Sequence, residues 1–365
     1  MSTDLKSFLS ACKTLKDFEN IVYVLGNESG DCDSIICSLV FAFLAYRSQN
    51  SLKGTPSIHY VPVVNNKPHV VAMRGEVAFA LEKAGLSLND LIYIDDVYQN
   101  INTVFLIDAN TLPVSFKQQV SVSGIIDHHA DEGLHADAEP RIINTCASCA
   151  SLLIEYFSIH KFDQKLLDLL LIPLVIDSVN WTWKVTDLDI KAGRKIFNDS
   201  DLTVEQLRQK CKPLHAQISE SHIDETQITV DLLLEKDLKT YRALHCLYGI
   251  SVIHTSYQSI NDLESGIRRF IACKHLHLHV LICTIHADDK NDNDTEAAER
   301  RQHSVQLVLT CTQPSVLDHI VTNAKDTLQL TFLESSPDKT FRCYQQARIE
   351  YSRKKLQPLL HSLLS

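Results

Sequence analysis

Ile125-Ile126-Asp127-His128-His129 is an apolar run that stops abruptly at three side chains able to bind metal. It reads as a buried strand delivering ligands at its carboxyl end. Two other places repeat the design: Val24-Leu25-Gly26-Asn27 leads to Asp31 and Asp33, and Val104-Phe105-Leu106-Ile107 ends at Asp108. Asp177 closes a further apolar stretch, Leu169 to Ile176. In open α/β sheets the functional groups gather beyond the carboxyl ends of the strands, so acids distant in sequence can meet there. One multi-metal site is the expectation.

The rest of the pattern supplies the scaffold for such a site. Residues 2–19 read as a helix before a first strand at 21–25, and an apolar helix opens at Ser34. Strands are expected at 57–64, 91–94, 103–107, 120–126 and 141–143, with helices at 75–84, 147–159 and 163–175. This alternation implies an α/β fold with a mostly parallel sheet. A polar helical stretch runs from 187 to 222, after which the apolar periodicity changes character. The expected division is therefore a metal-binding domain over 1–202, a linker helix over 203–222 and a smaller α/β domain over 223–365. In the second part a helix is expected at 229–241, with strands at 250–254, 278–285, 304–310 and 327–332. Asp288 to Asp294 superficially suggests a calcium loop, but the glycine of the sharp turn is missing and a solvated hairpin loop is the better reading. His275, His277 and His279 alternate as if on one polar face of a strand.

Composition excludes several classes. At 365 residues two domains are the default. The formal charge of −10 argues against a nucleic-acid polymer as partner, though five cations, Arg342, Arg348, Arg353, Lys354 and Lys355, concentrate near the end of the chain. The eleven cysteines are scattered, with only Cys146 and Cys149 in a CxxC spacing, and read as reduced thiols. Together with a start that lacks a signal-peptide pattern, they point to the cytoplasm. The longest nearly uncharged run, Ile35 to Tyr46, is too short to span a bilayer and suits a buried helix, so no membrane association is expected.

Hard divalent cations prefer oxygen ligands, and manganese or cobalt also accept imidazole. Asp31, Asp33, Asp108, Asp177 and His128 offer that mixture. Asp31 and Asp33 straddle one residue, so each can face a different ion, and Asp108 can bridge both. Two such ions clamp the attacking and leaving oxygens of a phosphoryl displacement and generate hydroxide from water at neutral pH. A single Asp at a strand end is more often a cap or turn residue. The joint placement of four such segments in one α/β half favours the metal reading.

The segments Gly26-Asn27-Glu28-Ser29-Gly30-Asp31-Cys32-Asp33-Ser34-Ile35, Phe105-Leu106-Ile107-Asp108, Asp127-His128-His129 and Asp177 together resemble the four motifs of the DHH phosphoesterase superfamily, closest to its exopolyphosphatase and prune branch. Tyr60 to Asn65, Met73 to Val77, Ser148 to Leu152 and Trp183 to Thr186 support it. Glu235 to Lys239 and Ser352 to Lys355 look like that family's associated carboxy-terminal domain. The resemblance implies two domains with the active site in the cleft between them and two divalent ions, magnesium or manganese with cobalt also acceptable. Asp31 and Asp108 would hold one ion with Asn27 nearby, and Asp33, Asp108, His128 and Asp177 the other. Asp127 would support the histidines. His129, Arg353 and Lys354 would act on the substrate in catalysis, and Asn27, Arg74 and Lys236 would join them in binding it. Family II pyrophosphatases carry a histidine at the position of Asn27, so the departure favours the polyphosphatase and prune branch.

The implied reaction is release of terminal orthophosphate from inorganic polyphosphate by a metal-bridged hydroxide, in a chain expected to be a monomer. The alternatives within the class are a pyrophosphatase and a prune-like enzyme acting on short chains or nucleotides. An inactive regulatory binding protein is the alternative outside it.

Overall fold

The computed structural model describes all residues except 1–3, 16–19, 50–57, 114–115, 117–119, 158–161, 222, 224–227 and 286–303. Two compact units divide at Ile223/Asp224. The first contains α1 (Leu5–Thr14), β1 (Ile21–Leu25), α2 (Cys32–Gln49), β2 (His59–Val63), α3 (Pro68–Val71), α4 (Gly75–Lys83) and α5 (Ile94–Val97). It continues with β3 (Thr103–Ile107), β4 (Ser121–Asp127), β5 (Arg141–Ile143), α6 (Cys149–Tyr156), α7 (Gln164–Asp177), α8 (Asp187–Phe197) and α9 (Val204–Glu220).

Its five strands form one sheet in the order β2-β1-β3-β4-β5, every pair parallel. Strands covered on both faces need apolar side chains on both, which is why Ile21–Leu25 and Thr103–Ile107 are nearly continuous hydrophobic runs. α2 is apolar on all sides because it packs on β1, β2 and β3 and against α4, α6 and α7. Ile36, Cys37, Val40, Ala42 and Leu44 are fully buried within it. Among the described residues no helix is long and apolar enough to cross a membrane. The order matters for function. β1 is the first strand in sequence and lies between β2 and β3, so the direction of winding reverses beside it and a crevice opens at the carboxyl ends of β1 and β3.

The second unit contains α10 (Val230–Lys236), β6 (Lys239–Ala243), β7 (Cys246–Ile253), α11 (Leu263–Lys274), β8 (Leu278–Ile285), β9 (Ser304–Cys311), α12 (Pro314–Leu328), β10 (Leu330–Ser335), β11 (Phe341–Gln346) and α13 (Arg353–Leu364). Its sheet runs β10-β11-β9-β8-β7-β6, and only the β7–β8 pair is parallel.

Local chemistry overrode several expectations. The strand at 91–94 shrinks to a single bridge between Val64 and Tyr93, because Asp96 accepts from the Tyr93 N–H at 3.1 Å and turns the chain into α5. The helix at 229–241 ends at Lys236, and Lys239–Ala243 pairs antiparallel with β7 instead. The polar stretch 187–222 is two helices: Asn198, with φ 49°, ends the first, and Thr203 caps the second by accepting from the Gln206 N–H. α9 buries Leu207, Cys211 and Ile218 in the core of the first unit. His275 is the left-handed cap of α11 rather than a strand residue, so the three histidines do not share a face. The acidic stretch Asp288 to Asp294 lies outside the described residues.

Candidate metal centre

Four segments of the first unit bring their side chains together. The loop after β1 turns at Gly30, whose φ of +56° is open to glycine without penalty, and it carries Asn27 and Asp31 to the mouth of the crevice. Asp31 caps α2 through a 2.9 Å bond from the Ser34 N–H. The amide of Asn27 donates to Asp31 Oδ2 at 3.0 Å and to Asp108 Oδ2 at 2.7 Å, while its carbonyl accepts from the Ser29 N–H and hydroxyl. Ser34 Oγ also donates to Asp108 Oδ2, at 2.8 Å. Asn27 is therefore turned toward the carboxylates and holds two of them with partial positive charge.

Asp108 follows β3 in the left-handed region, with φ 56°. Only glycine, Asn and Asp enter that region readily. Its Oδ2 is satisfied, but Oδ1 is buried without a well-formed hydrogen bond, 3.2 Å from His128 Nε2 and 3.3 Å from His129 Nδ1. Asp108, His128 and His129 each offer a ligand atom within 4.8 Å of the others, the one group able to hold a metal found among the described residues.

The two histidines after β4 are oriented by different partners. His128 Nδ1 lies 3.0 Å from the Cys146 carbonyl, which can only accept, so Nδ1 carries the proton and Nε2 points at Asp108 Oδ1. In neutral His128 that arrangement sets one lone pair against another. A cation between them resolves the conflict, and two atoms at right angles around an ion with bonds of about 2.1 Å stand about 3.0 Å apart. The residues present thus fit a divalent metal. His129 Nδ1 bonds to Asp127 Oδ1 at 2.7 Å, and Asn110 Nδ2 donates to Asp127 Oδ2. Asp127 supports His129 alone, not both histidines. The His129 side chain keeps 23% exposure against 9% for His128, so His129 is the more open of the two.

Asp33 is gripped by the start of α6. Its Oδ1 accepts from Ser148 Oγ at 2.8 Å, the Ala150 N–H at 3.3 Å and the Cys37 thiol at 3.1 Å, and its Oδ2 from the Cys149 N–H at 2.7 Å. Oδ2 lies 3.9 Å from His128 Nε2. Asp177 ends α7, half-buried.

The electrostatics show how crowded the charges are. Burial, then the charge of Asp108, pushes the Asp33 carboxyl up despite His128 and the Cys149 N–H. Asp177 is driven well above the ordinary range by burial first and then by Asp33, Asp31 and Asp108. Burial also works against ionised Asp108, but the bonds and charges of His128 and His129 outweigh it and hold that carboxyl well below the usual range. Asp33, Asp31 and Asp108 thus disfavour ionised Asp177, and Asp108 disfavours ionised Asp33.

The remaining expected residues belong to other segments of the chain. Arg74 is buried, donating to the Ser29 carbonyl at 2.7 Å and standing 3.5 Å from Glu76, so it braces the ligand loop. Lys236 is half-buried at the end of α10, in the second unit. Arg353 opens α13 and bonds to the Asp237 carbonyl at 2.7 Å and carboxylate at 3.0 Å, and Lys354 is exposed beside it. The sequence reading passed over Ser34, Asn110, Cys146, Ser148 and Cys149. Ser34 and Ser148 stand inside quoted motifs and could have been found there, whereas a backbone carbonyl or N–H leaves no sequence signal.

This geometry has relatives among known proteins. The profile of the DHH family, N-terminal domain, matches residues 21–174. Over nearly its whole length it is similar to two more particular proteins. One, from Schizosaccharomyces pombe, is named as a candidate exopolyphosphatase and is 26% identical over 390 residues, covering 98% of this chain and 94% of the relative. The other is the exopolyphosphatase PRUNE1 of Bos taurus, 26% identical over 382 residues, with 99% of this chain and 80% of the relative covered. Among solved structures, a Methanococcus jannaschii protein described as a candidate family II inorganic pyrophosphatase shares the fold. Its TM-score is 0.58 at 16% identity, over 94% of this chain and 99% of that one.

Proposed function

We propose that the chain is a metal-dependent hydrolase of phosphoanhydride bonds that removes orthophosphate from the end of inorganic polyphosphate. The observation that carries this reading is the approach of His128 Nε2 to the buried Oδ1 of Asp108 at 3.2 Å, a separation that a divalent cation bound to both would span, beside the carboxylate of Asp33. The exopolyphosphatase names of the full-length relatives point to the substrate. Asp31, Asp33, Asp108, His128 and Asp177 would hold divalent ions, magnesium or manganese. Such ions supply Lewis acidity that neutralises phosphoryl charge and activates water.

The chain's own residues do the rest. Asp127 fixes the proton of His129 on Nδ1, which leaves Nε2 to take up or return a proton at the reacting oxygens. Asn27 and Ser34 keep Asp108 Oδ2 occupied, so Oδ1 is the atom presented to a cation. Arg353, Lys354 and Lys355 begin α13, where the helix dipole disfavours cations by about 0.3–1 kcal/mol each. An anionic substrate relieves that cost. In this reading guanidinium and ammonium grip its phosphate oxygens.

The test is phosphate release by the full-length protein with Mn2+ or Mg2+ from long polyphosphate, tripolyphosphate, pyrophosphate and a cyclic nucleotide. Asp108→Asn serves as control, because Asn tolerates the left-handed backbone that Ala does not. Release from long chains, reduced on the order of 10³-fold in Asp108→Asn, is expected. Activity confined to pyrophosphate or nucleotide would reassign the substrate, and unimpaired Asp108→Asn would remove the metal assignment.

A further inference from the structure

The grip on Asp33 and the orientation of His128 come from one short segment, Cys146 to Ala150. That segment is itself anchored from below by a carboxylate outside the ligand set. Asp189 is fully buried on α8. The Ala147 N–H lies 3.1 Å from its Oδ1 and 3.0 Å from its Oδ2, and Ser151 Oγ donates to Oδ1 at 2.7 Å. The other side of the carboxylate accepts from the Thr186 N–H at 2.7 Å and the Thr186 hydroxyl at 2.8 Å.

Capping α8 requires only the bonds to Thr186. The bonds to Ala147 and Ser151 do something further, since they pin the segment at one residue beside the Cys146 carbonyl and at another beyond Ser148 and Cys149. Cys146, immediately before Ala147, turns its carbonyl to His128 Nδ1. Ser148 and Cys149, between the two clamped residues, hold Asp33. We propose that Asp189 is a positioning residue of the metal centre, fixing the 146–151 segment so that His128 Nε2 and the Asp33 carboxylate keep their alignment with Asp108. The proposal rests on the reading that this centre binds divalent ions. Asparagine in place of Asp189 keeps its shape but turns one acceptor atom into a donor, so either Thr186 or the 147–151 side must face a donor with a donor.

The experiment is calorimetric titration of the full-length protein with Mn2+, comparing wild type, Asp189→Asn, Ser151→Ala and Thr203→Ala. Partners of metal ligands typically change affinity 10–100-fold when lost. Asp189→Asn is expected to weaken Mn2+ binding by about that factor, and Ser151→Ala, which removes one clamp bond, by about threefold to tenfold. Thr203→Ala removes the cap of α9 elsewhere in the same unit, so it lowers stability without touching the segment and should bind Mn2+ as wild type does. Wild-type affinity in Asp189→Asn, or loss in Thr203→Ala that tracks its stability, overturns the positioning role. Should Asp189→Asn fail to fold, Ser151→Ala decides, and unchanged affinity there overturns it. A wild-type protein that binds no Mn2+ would remove the metal reading and this role together, an outcome separate from equal binding by wild type and variant.

Discussion

Asp127 Oδ1 accepts from both the main-chain N–H and the ring Nδ1 of His129, while Oδ2 accepts from Asn110. Both oxygens therefore meet donors. Asp127→Asn puts an NH2 group against either Asn110 or His129. In the second case the imidazole must move its proton to Nε2, the atom left for the substrate. A neutral residue of the same shape should thus lower kcat by about 10–100-fold while changing KM far less, and should shift the pH profile. A kcat unchanged from wild type would show that the His129 tautomer does not matter. At this scale the sequence was informative where the ligand is a side chain at the end of an apolar run, as at Asp108 and His128. It was silent on Asp189, because Thr186-x-x-Asp189 reads as an ordinary helix cap and its second set of bonds depends on where the 146–151 segment lies.

Elements were legible in proportion to how fully they are buried. β3, buried at four of its five residues, and the extensively buried helix α2 announce themselves as apolar runs, whereas β6 is a half-exposed edge strand whose polar sequence matched a helix equally well. The alternating histidines near β8 conceal a different element-scale property. His279, on β8, is fully buried beside Phe270 of α11, with ring centroids 5.6 Å apart. Ser251 Oγ gives its proton to the Leu234 carbonyl at 2.6 Å, so His279 Nε2–H donates to Ser251 at 2.9 Å and Nδ1 remains a buried bare acceptor. Burial pushes its pKa down to about 3 from 6.5. Because the unfolded state binds the proton first, stability is complete above about pH 6.5 and is lost as pH falls toward 3. Between pH 7 and pH 5 the loss is about 2 kcal/mol. Hydrogen exchange of the β7 and β8 amides should show protection falling by about that amount, and His279→Gln should abolish the pH dependence. Protection independent of pH in the wild type would contradict the neutral buried imidazole.

For the whole molecule, metal ions and protons should each relieve the repulsion among the carboxylates of the first unit and compete to do so, and the chain contains its own reporter of that unit. Trp181 and Trp183 are the only two tryptophans, and both lie before the division at Ile223. Trp181 is buried against α8 and α9, close to Gly193 and Leu207, so its emission should report loss of that packing. The raised carboxyls of Asp33 and Asp177 mean that the folded protein without metal holds protons the unfolded chain has released above pH 3.8. The stability those two groups contribute is therefore lost as pH rises through their folded values. Asp108, held low by the two histidines, is already ionised across this range and leaves the sign unchanged. Divalent ions need the carboxylates ionised, so they bind more tightly as pH rises and relieve the same repulsion. At a concentration 100-fold above Kd, Mn2+ should stabilise the first unit by about 2.7 kcal/mol and raise its tryptophan-detected midpoint by about 5–10 °C. The increment should shrink steadily from pH 7.5 to pH 5 at a fixed Mn2+ concentration. An increment larger in acid, or a midpoint indifferent to Mn2+ at pH 7.5, would mean that these carboxylates do not ionise to receive the metal.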